Sequence, residues 1–208
     1  MPLRQYIRQV LLTEAAKGPA DLPDNVVIVI NAARSSKEVE IYYGMAGDIF
    51  LRPEKKDLAY GSINIYDIQS DPTMVGNCGG AMMVGGSFAA PGWGPLLYDV
   101  AIEWATQNAG GLIADRSTVS ADAKSVWRYY MQNRGDVTAH QLDDPFNLLT
   151  PEDEDNCDQE VSGGGHLMYG GDKDFGKEWV NSSLSKRYTK PPTTMDILKK
   201  AGKLEVLG

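Results

Sequence analysis

The groups best suited to chemistry in this sequence are backbone N–H groups in the stretch APGWGPLLYDVAIEWA, residues 90 to 105. Gly92 and Gly94 lie where an apolar, strand-like stretch gives way to an amphipathic run that begins near Pro95. The first N–H groups of a helix have no partner within it, and the helix dipole adds about half a positive charge, so this turn could bind an anion without a lysine. A tight turn that binds nothing is the alternative interpretation, because glycine is a common turn residue.

Hydrophobic periodicity predicts the elements that must position this turn. Polar, turn-rich stretches separate the first four strand-like segments, which favours antiparallel neighbours among them. The element order β-β-β-β-α-β-α-β predicts an α/β domain with a mixed, largely antiparallel sheet flanked by helices. The predicted strands cover 26–33, 39–43, 62–68, 81–88, 111–114 and 136–142, and the predicted helices cover 95–108 and 121–134.

The two ends of the chain differ in character from the middle. We expect an amphipathic helix in residues 1–18, a core domain in 19–143 and a C-terminal extension in 144–208. Within the extension, the acidic and glycine-rich run TPEDEDNCDQEVSGGGH, from residue 150 onward, predicts a mobile loop. The later run TTMDILKKAG predicts a short helix with Thr194 as its cap.

Composition limits the classes of partner. The chain has 28 acidic and 20 basic residues, a net charge of −8, which disfavours nucleic acid and anionic membrane surfaces. The aliphatic run VVIVI is far shorter than the roughly 20 residues that cross a bilayer, so we expect a soluble, cytoplasmic chain. The start of the sequence lacks the pattern of a secretory signal. Two cysteines are too few for a disulfide framework, so we expect free thiols in a reducing compartment.

Residues 81–137 resemble the core of the GCN5-related N-acetyltransferase superfamily. In that family a strand leads into an Arg/Gln-x-x-Gly-x-Gly/Ala loop that opens a helix, and a further strand and a helix patterned Asn-x-x-Ala-x-x-Leu-Tyr follow. Here Gly92 and Gly94 occupy the two glycine positions, Ala123 the alanine and Val126 the leucine. The resemblance implies a divergent member of this fold.

The chain also departs from the family pattern. Ala89 stands where the family usually has Arg or Gln, Ser120 where it has Asn, and Trp127 where it often has the Tyr that acts as general acid. An indole N–H is a donor only and does not protonate a thiolate at neutral pH. The segment between the first two strands is too short for the helix pair that builds the acceptor site in the family. A structural version of the fold without chemistry is therefore an open alternative.

The resemblance implies an acetyl-CoA-dependent enzyme that transfers an acetyl group to an amine on a small molecule or a protein. Such a transfer needs a base for the amine proton and an acid for the leaving thiolate. A strand edge with free backbone groups could bind the amide-bearing pantetheine arm as it would bind another strand. The candidate cofactor-binding residues are Gly92, Trp93, Gly94, Pro95 and Leu96 for the pyrophosphate and Met83, Val84 and Gly85 for the pantetheine arm; the candidate catalytic residues are Asp115, Ser120 and Tyr130.

Several of these polar residues have plainer interpretations. Asp115 could pair with Arg116 or cap a turn. His140, on the last strand of the predicted core, could act as a base, or it could be a core or surface histidine with an ordinary partner. Cys157 and His166 are too few ligands for zinc. The run DEDNCDQE, residues 153–160, lacks the glycine and the ligand spacing of an EF-hand loop, so the sequence predicts no metal site.

The N-terminus indicates a second class of function. The tripeptide Leu12-Thr13-Glu14, at the end of the predicted helix, resembles the leader cleavage site of proteins packaged inside the heads of large tailed bacteriophages. Their maturation protease cuts after a hydrophobic-x-Glu tripeptide. This resemblance implies a noncatalytic virion or interaction protein, with phage head or virion proteins as partners and a place in the host cytoplasm or the virion.

Overall fold

One mixed, eight-stranded sheet organises the part of the chain that the computed structural model describes. That part comprises residues 16–35, 38–45, 61–68, 76–115, 119–145, 148–158 and 176–208. The predicted N-terminal helix, with its Leu12-Thr13-Glu14 tripeptide, lies almost wholly outside these ranges, as does the glycine-rich half of the predicted loop.

The strands and helices arise where the sequence periodicity predicts them. Every strand and helix predicted between residues 26 and 142 is present, and so is the short helix near the C-terminus. The strands are β1 Val26–Ser35, β2 Glu38–Met45, β3 Gly61–Asp67, β4 Met82–Ala89, β5 Leu112–Ile113, β6 Thr138–Gln141, β7 Lys186–Thr189 and β8 Leu204–Leu207, and the helices are α1 Gly94–Asn108, α2 Ala121–Asn133 and α3 Thr193–Lys200.

The sheet has the order β6-β7-β5-β4-β3-β2-β1-β8. Strands β1 to β4 are antiparallel neighbours, as the polar turns between them predict. Strand β5 is parallel to β4, and β7 lies antiparallel between β5 and β6. The predicted mixed, largely antiparallel sheet is confirmed. The segment after residue 144 supplies β7 and also β8, which pairs in parallel with β1.

The main core lies between one face of the sheet and the helices. Alternate residues of the central strands, among them Ile28, Ile41 and Ile63, are fully buried there together with apolar residues of all three helices named above. The Trp127 ring of α2 lies at the centre of an aromatic group. Its centroid is 5.4 Å from that of Tyr98 and 4.9 Å from that of Tyr188. These contacts fix α1 and α2 against β7.

A disulfide joins Cys78 and Cys157, so the prediction of free thiols is wrong. The chain brings these residues together because the segment around Asn156 runs beside the end of β6. The Asp143 N–H donates to the Asp155 carbonyl over 3.0 Å, and the Cys78 N–H donates to the Asn156 carbonyl over 2.8 Å. A count of cysteines does not reveal such long-range proximity. The prediction of a mobile loop is also corrected for residues 150–158, which these bonds fasten to the sheet.

Candidate functional site

The glycine stretch forms a tight turn between β4 and α1. The Trp93 N–H donates to the Ala90 carbonyl over 3.1 Å, which closes the turn. Gly92 has φ of 83°, a left-handed conformation that favours glycine over any residue with a side chain. Helix α1 begins at Gly94, with Pro95 in its first turn as predicted. The local sequence therefore explains both the turn and the start of the helix.

Three backbone N–H groups at this turn have no acceptor within the described part of the chain. They belong to Gly92, Gly94 and Leu96, because the Trp93 N–H is used in the turn and Pro95 has none. No side chain caps the helix start. Gly92 and Gly94 are half-buried, whereas the Leu96 side chain is in the core. The free donors at the start of α1 therefore match the arrangement that the sequence suggests for an anion site.

A lysine from a distant part of the sequence also lies at this turn. The Lys17 N–H donates to the Gly92 carbonyl over 3.0 Å, and the Lys17 ammonium lies 5.0 Å from the centroid of the Trp93 ring. A cation over an indole face is held by the electrostatic field of the ring. The sequence does not predict a cation at this turn, since nothing near residue 17 indicates which loop that residue contacts.

The strand beside the turn has an open edge. Strands β4 and β5 are paired only at Met82↔Leu112 and Met83↔Ile113, although β4 continues to Ala89. From residue 84 onward its ladder partner is β3 alone, and residues 85–89 are exposed. The two strands thus separate at Val84 and Gly85, two of the three positions expected to bind the pantetheine arm. Met83 is not at the open edge, because it is paired with Ile113 of β5.

A bulge interrupts β4 at the point of separation. Asn64 of β3 pairs with Gly86 and Ile65 pairs with Val84, so Gly85 has no partner on β3. A Cβ atom on Gly85 would lie 3.0 Å from Cε1 of Tyr66, which explains the glycine. Bulges turn backbone groups away from the regular ladder and are common beside active sites.

The candidate catalytic positions do not converge on one point. Asp115 follows β5 directly and is half-buried at the separation of the two strands. Ser120 is the N-cap of α2, where its Oγ accepts from the Ala123 N–H over 3.2 Å. Tyr130 is buried, and its hydroxyl lies 2.9 Å from both the Pro95 carbonyl and Oδ1 of Asp99. Tyr130 therefore meets the first turn of α1 from the core side.

The surroundings of Tyr130 form an internal polar network. The Asp99 carboxylate accepts from the Tyr130 hydroxyl and is 2.9 Å from Nη1 of Arg134, which also binds Asp136 through two nitrogens. Burial raises the pKa of Asp99, and the Arg134 charge opposes that rise. Burial, followed by the Asp99 charge, holds the pKa of Tyr130 well above its usual value. Tyr130 is therefore a bound, protonated phenol that joins α2 to α1.

A second phenol, which the sequence did not predict as part of the site, lies beside β4. The Tyr98 hydroxyl, on α1, lies 3.0 Å from Oγ of Ser87 on the exposed stretch of β4. Burial raises the pKa of Tyr98, so the hydroxyl keeps its proton at neutral pH. The periodicity places Tyr98 on the apolar stripe of α1 but does not indicate its partner. The available signal is general: a phenol on a buried stripe usually has a polar partner for its hydroxyl.

His140 has a plain structural role. It lies on β6, where Nε2 is 2.9 Å from Oγ1 of Thr189 on β7. Burial, with the nearby charge of Arg187, lowers the pKa of His140. This histidine therefore takes part in cross-strand hydrogen bonding at the sheet edge, far in topology from β4.

Ser120→Ala is expected to lower the free energy of unfolding by about 1 kcal/mol, because the Ala123 N–H would lose its acceptor. Urea unfolding measures this change. The control is Ser125→Ala on the same helix, whose exposed Oγ donates back to the Ala121 carbonyl and should be nearly neutral. Equal effects of the two substitutions would contradict the capping role of Ser120.

The fold and this site define an α/β protein with a mixed sheet, a turn with unpartnered N–H groups at the start of α1 and an open strand edge beside it. Comparison of the chain with protein-family models, curated proteins and solved structures finds no match. No described helix is long and apolar enough to cross a membrane. Within the same ranges, no group of three or more His, Cys, Asp or Glu side chains is placed to hold a metal ion.

Proposed function

We propose that this protein is an acyl-CoA-dependent N-acetyltransferase, which transfers an acetyl group from acetyl-CoA to an amine. The observation that carries the proposal is the set of N–H groups on Gly92, Gly94 and Leu96, which lack acceptors in the described chain and lie beside an open strand edge. A diphosphate supplies several oxygen acceptors close together, and a helix start favours negative charge. The Lys17 ammonium beside Trp93 adds a positive charge at the same turn.

The open edge of β4 supports the binding of the rest of the cofactor. From Val84 onward, the side of β4 that faces β5 makes no ladder bonds, so its N–H and C=O groups are available to an amide-bearing arm. The arm would run along the strand from the turn towards Gly85, where the bulge turns a backbone group out of the ladder. An N–H group in that position would stabilise negative charge on a reacting carbonyl oxygen.

The chemistry requires two proton transfers. The amine nitrogen attacks the thioester carbonyl carbon, a C–N bond forms, the C–S bond breaks, and the sulfur leaves as a thiolate that must be protonated. We assign the amine proton to Asp115, which lies where β4 and β5 separate. We assign the donor role to the Tyr98 hydroxyl, held by Ser87 on the exposed stretch of β4, because the Tyr130 hydroxyl is engaged with Pro95 and Asp99.

Gly94→Ala is the sharpest test of the phosphate-binding role. A Cβ atom at Gly94 would meet only Cβ of Ala89, at 3.9 Å, which is ordinary contact, so the fold should tolerate alanine. The same Cβ would obstruct a phosphate that approaches the backbone. We expect CoA affinity to fall about tenfold, or 1.4 kcal/mol, with unchanged stability. Isothermal titration calorimetry with CoA measures the first quantity, and thermal unfolding without ligand measures the second.

Two controls make this test specific. Gly135→Ala, where nothing lies within 4 Å of the added Cβ, should leave CoA affinity unchanged. Pantetheine, which lacks the pyrophosphate, should bind Gly94→Ala and the unaltered protein alike. CoA at 100 times its dissociation constant should stabilise the unaltered protein by about 2.7 kcal/mol. The absence of any CoA-dependent shift, or an effect of Gly94→Ala on pantetheine as large as on CoA, would overturn the proposal.

The disulfide favours a second candidate function, a noncatalytic phage virion-associated or interaction protein. Disulfides such as Cys78–Cys157 persist at virion and cell surfaces and are rare in the cytosol, where thiols are kept reduced. Alkylation of the protein inside intact cells, followed by mass analysis, separates the candidates. Free thiols together with CoA binding support the enzyme, whereas a formed disulfide with no response to CoA supports the virion protein.

A further inference from the structure

Two residues beyond β6 lies a buried carboxylate of which only one oxygen has hydrogen-bond donors. Asp143 is 1% exposed, and its Oδ2 accepts from the N–H groups of Leu149 and Thr150 over 2.6 Å and 2.7 Å. Its other oxygen, Oδ1, is buried and has no hydrogen-bond partner. A buried carboxylate oxygen without a hydrogen-bond partner is unfavourable, so it indicates a partner that the described protein atoms do not supply.

A second unpartnered oxygen belongs to the residue that is paired with Asp143. Asp143 forms a parallel β-bridge with Asn156, and residues paired directly in a ladder project from the same face. The Asn156 amide nitrogen donates to Asp153, whereas its Oδ1 is buried without a donor. The bridge therefore places both residues on one face, and no described N–H or O–H group donates to either unpartnered oxygen.

Thr150 and Asp155 add two further oxygen-bearing side chains near Oδ2 of Asp143, the oxygen that already has donors. Oγ1 of Thr150 lies 3.4 Å from Oδ2 of Asp143 and 3.4 Å from Oδ2 of Asp155, so the two carboxylates approach the same hydroxyl. The nearby guanidinium of Arg187 interacts electrostatically with the Asp155 carboxylate, but it does not donate a hydrogen bond to the unpartnered oxygens. Its Nη1 donates to the Gly110 carbonyl, and its Nε has no acceptor.

We propose that Asp143, Asp155, Asn156 and Thr150 form a calcium-binding site. Calcium takes carboxylate, amide-carbonyl and other oxygen ligands in flexible geometry, and two carboxylates balance its charge. Magnesium requires a near-ideal octahedron and retains more of its water, so calcium fits this mixed set better. The donors come from two segments of the chain and include only two carboxylates. The set therefore has neither the ligand spacing of an EF-hand in residues 153–160 nor three acidic, histidine or cysteine ligands.

The disulfide supports this assignment because it fixes one of the ligands. Cys157 follows Asn156 directly, and the Asn156 carbonyl accepts from the Cys78 N–H over 2.8 Å. The Asn156 backbone is thus held between the disulfide and the bridge to Asp143. A site built on a fixed backbone loses less conformational freedom when it binds an ion.

Asn156→Asp distinguishes a bound calcium ion from ordered water as the partner of the unpartnered oxygens. The two explanations predict different effects of calcium on the stability of this variant. If calcium binds here, the added carboxylate should tighten calcium binding about tenfold, since affinity follows ligand charge. The variant should then be less stable than the parent in EDTA and should regain stability in calcium chloride. Calorimetric titration with calcium chloride and thermal unfolding in both conditions measure these effects. Magnesium chloride should bind more weakly in both proteins.

Two more variants complete the test. Asn133→Asp makes the same charge change at an exposed position on α2 and should not alter calcium affinity. Asp155→Asn removes the charge of a proposed ligand and should weaken calcium binding at least tenfold. If ordered water satisfies the unpartnered oxygens instead, the parent will show no calcium-dependent shift, and Asn156→Asp will be equally destabilised in calcium and in EDTA. Either of those results would overturn the proposal.

Discussion

Lys190→Met is expected to lower the free energy of unfolding by about 3–5 kcal/mol, because it would leave a buried carboxylate without its counter-ion. Lys190 and Glu103 are 1% and 0% exposed, and the Lys190 ammonium forms an ion pair with Oε1 of Glu103. Removal of one member of such a pair costs far more than the intact pair contributes, since the remaining charge stays desolvated. Urea unfolding of the variant and the parent measures the difference.

The surroundings of this pair explain why the effect should be large. The Glu103 carboxylate accepts from the N–H groups of Thr194 and Met195, over 2.8 Å and 2.6 Å, and so caps the first turn of α3. A carboxylate at this end of a helix is also favoured by the helix dipole. The Lys190 ammonium donates to the hydroxyls of Thr193 and Thr194. The pair therefore joins α1 to α3 through satisfied polar contacts.

Two companion variants test the reason for the loss. Lys199→Met removes an exposed lysine of α3 and should change stability by no more than about 0.5 kcal/mol. Glu103→Gln combined with Lys190→Met removes the unpaired charge and should recover part of the stability. If Lys190→Met costs no more than Lys199→Met, the buried pair does not have the role assigned to it.

The same contacts show where sequence rules stop. The sequence predicts the helix near residue 194 correctly, because its apolar spacing and late lysines are local signals. It assigns the cap to Thr194, which is wrong: Thr194 lies in the first turn, and the capping group is the Glu103 carboxylate. A capping group 91 positions away along the chain leaves no mark in the local pattern.

The strands and helices of the core could be predicted from the sequence because their signals are also local. Alternation of apolar residues predicts β1 to β4, and the change of period predicts α1, because each pattern is complete within a few residues. The place of β7 between β5 and β6 depends on pairing with strands that are distant in the chain, such as Leu112↔Tyr188. Nothing in the four residues of β7 specifies those partners.

The candidate site also has parts that local sequence predicts and parts that depend on distant residues. The turn at Gly92 and the start of α1 follow from glycine and proline chemistry and could be predicted. The Lys17 ammonium over Trp93 and the Tyr98–Ser87 contact could not, since each joins residues from different elements. The parts of the candidate site that the backbone of one local segment forms are therefore the parts that a single sequence reveals best.

Replacement of both cysteines by alanine, Cys78→Ala with Cys157→Ala, should lower the free energy of unfolding by about 4 kcal/mol. The crosslink spans 79 positions, so its loss returns considerable conformational freedom to the unfolded chain. Both residues are fully buried, and alanine avoids adding a buried hydroxyl. Guanidinium unfolding measures the loss, and hydrogen exchange should show weaker protection of the Cys157 amide, which donates to Asp143.

The reductant response separates the crosslink from the packing of the two side chains. Dithiothreitol should destabilise the parent protein by nearly the full amount, because reduction removes the bond but retains both sulfur atoms. Dithiothreitol should not change the stability of the double alanine variant. The free energies of unfolding of the two proteins should therefore be nearly equal in its presence. A parent protein whose unfolding midpoint is the same with and without reductant would show that the bond carries no stability. If the variant is much less stable than the reduced parent, most of the lost stability comes from the cavity that the two missing sulfur atoms leave in the core, and not from the crosslink.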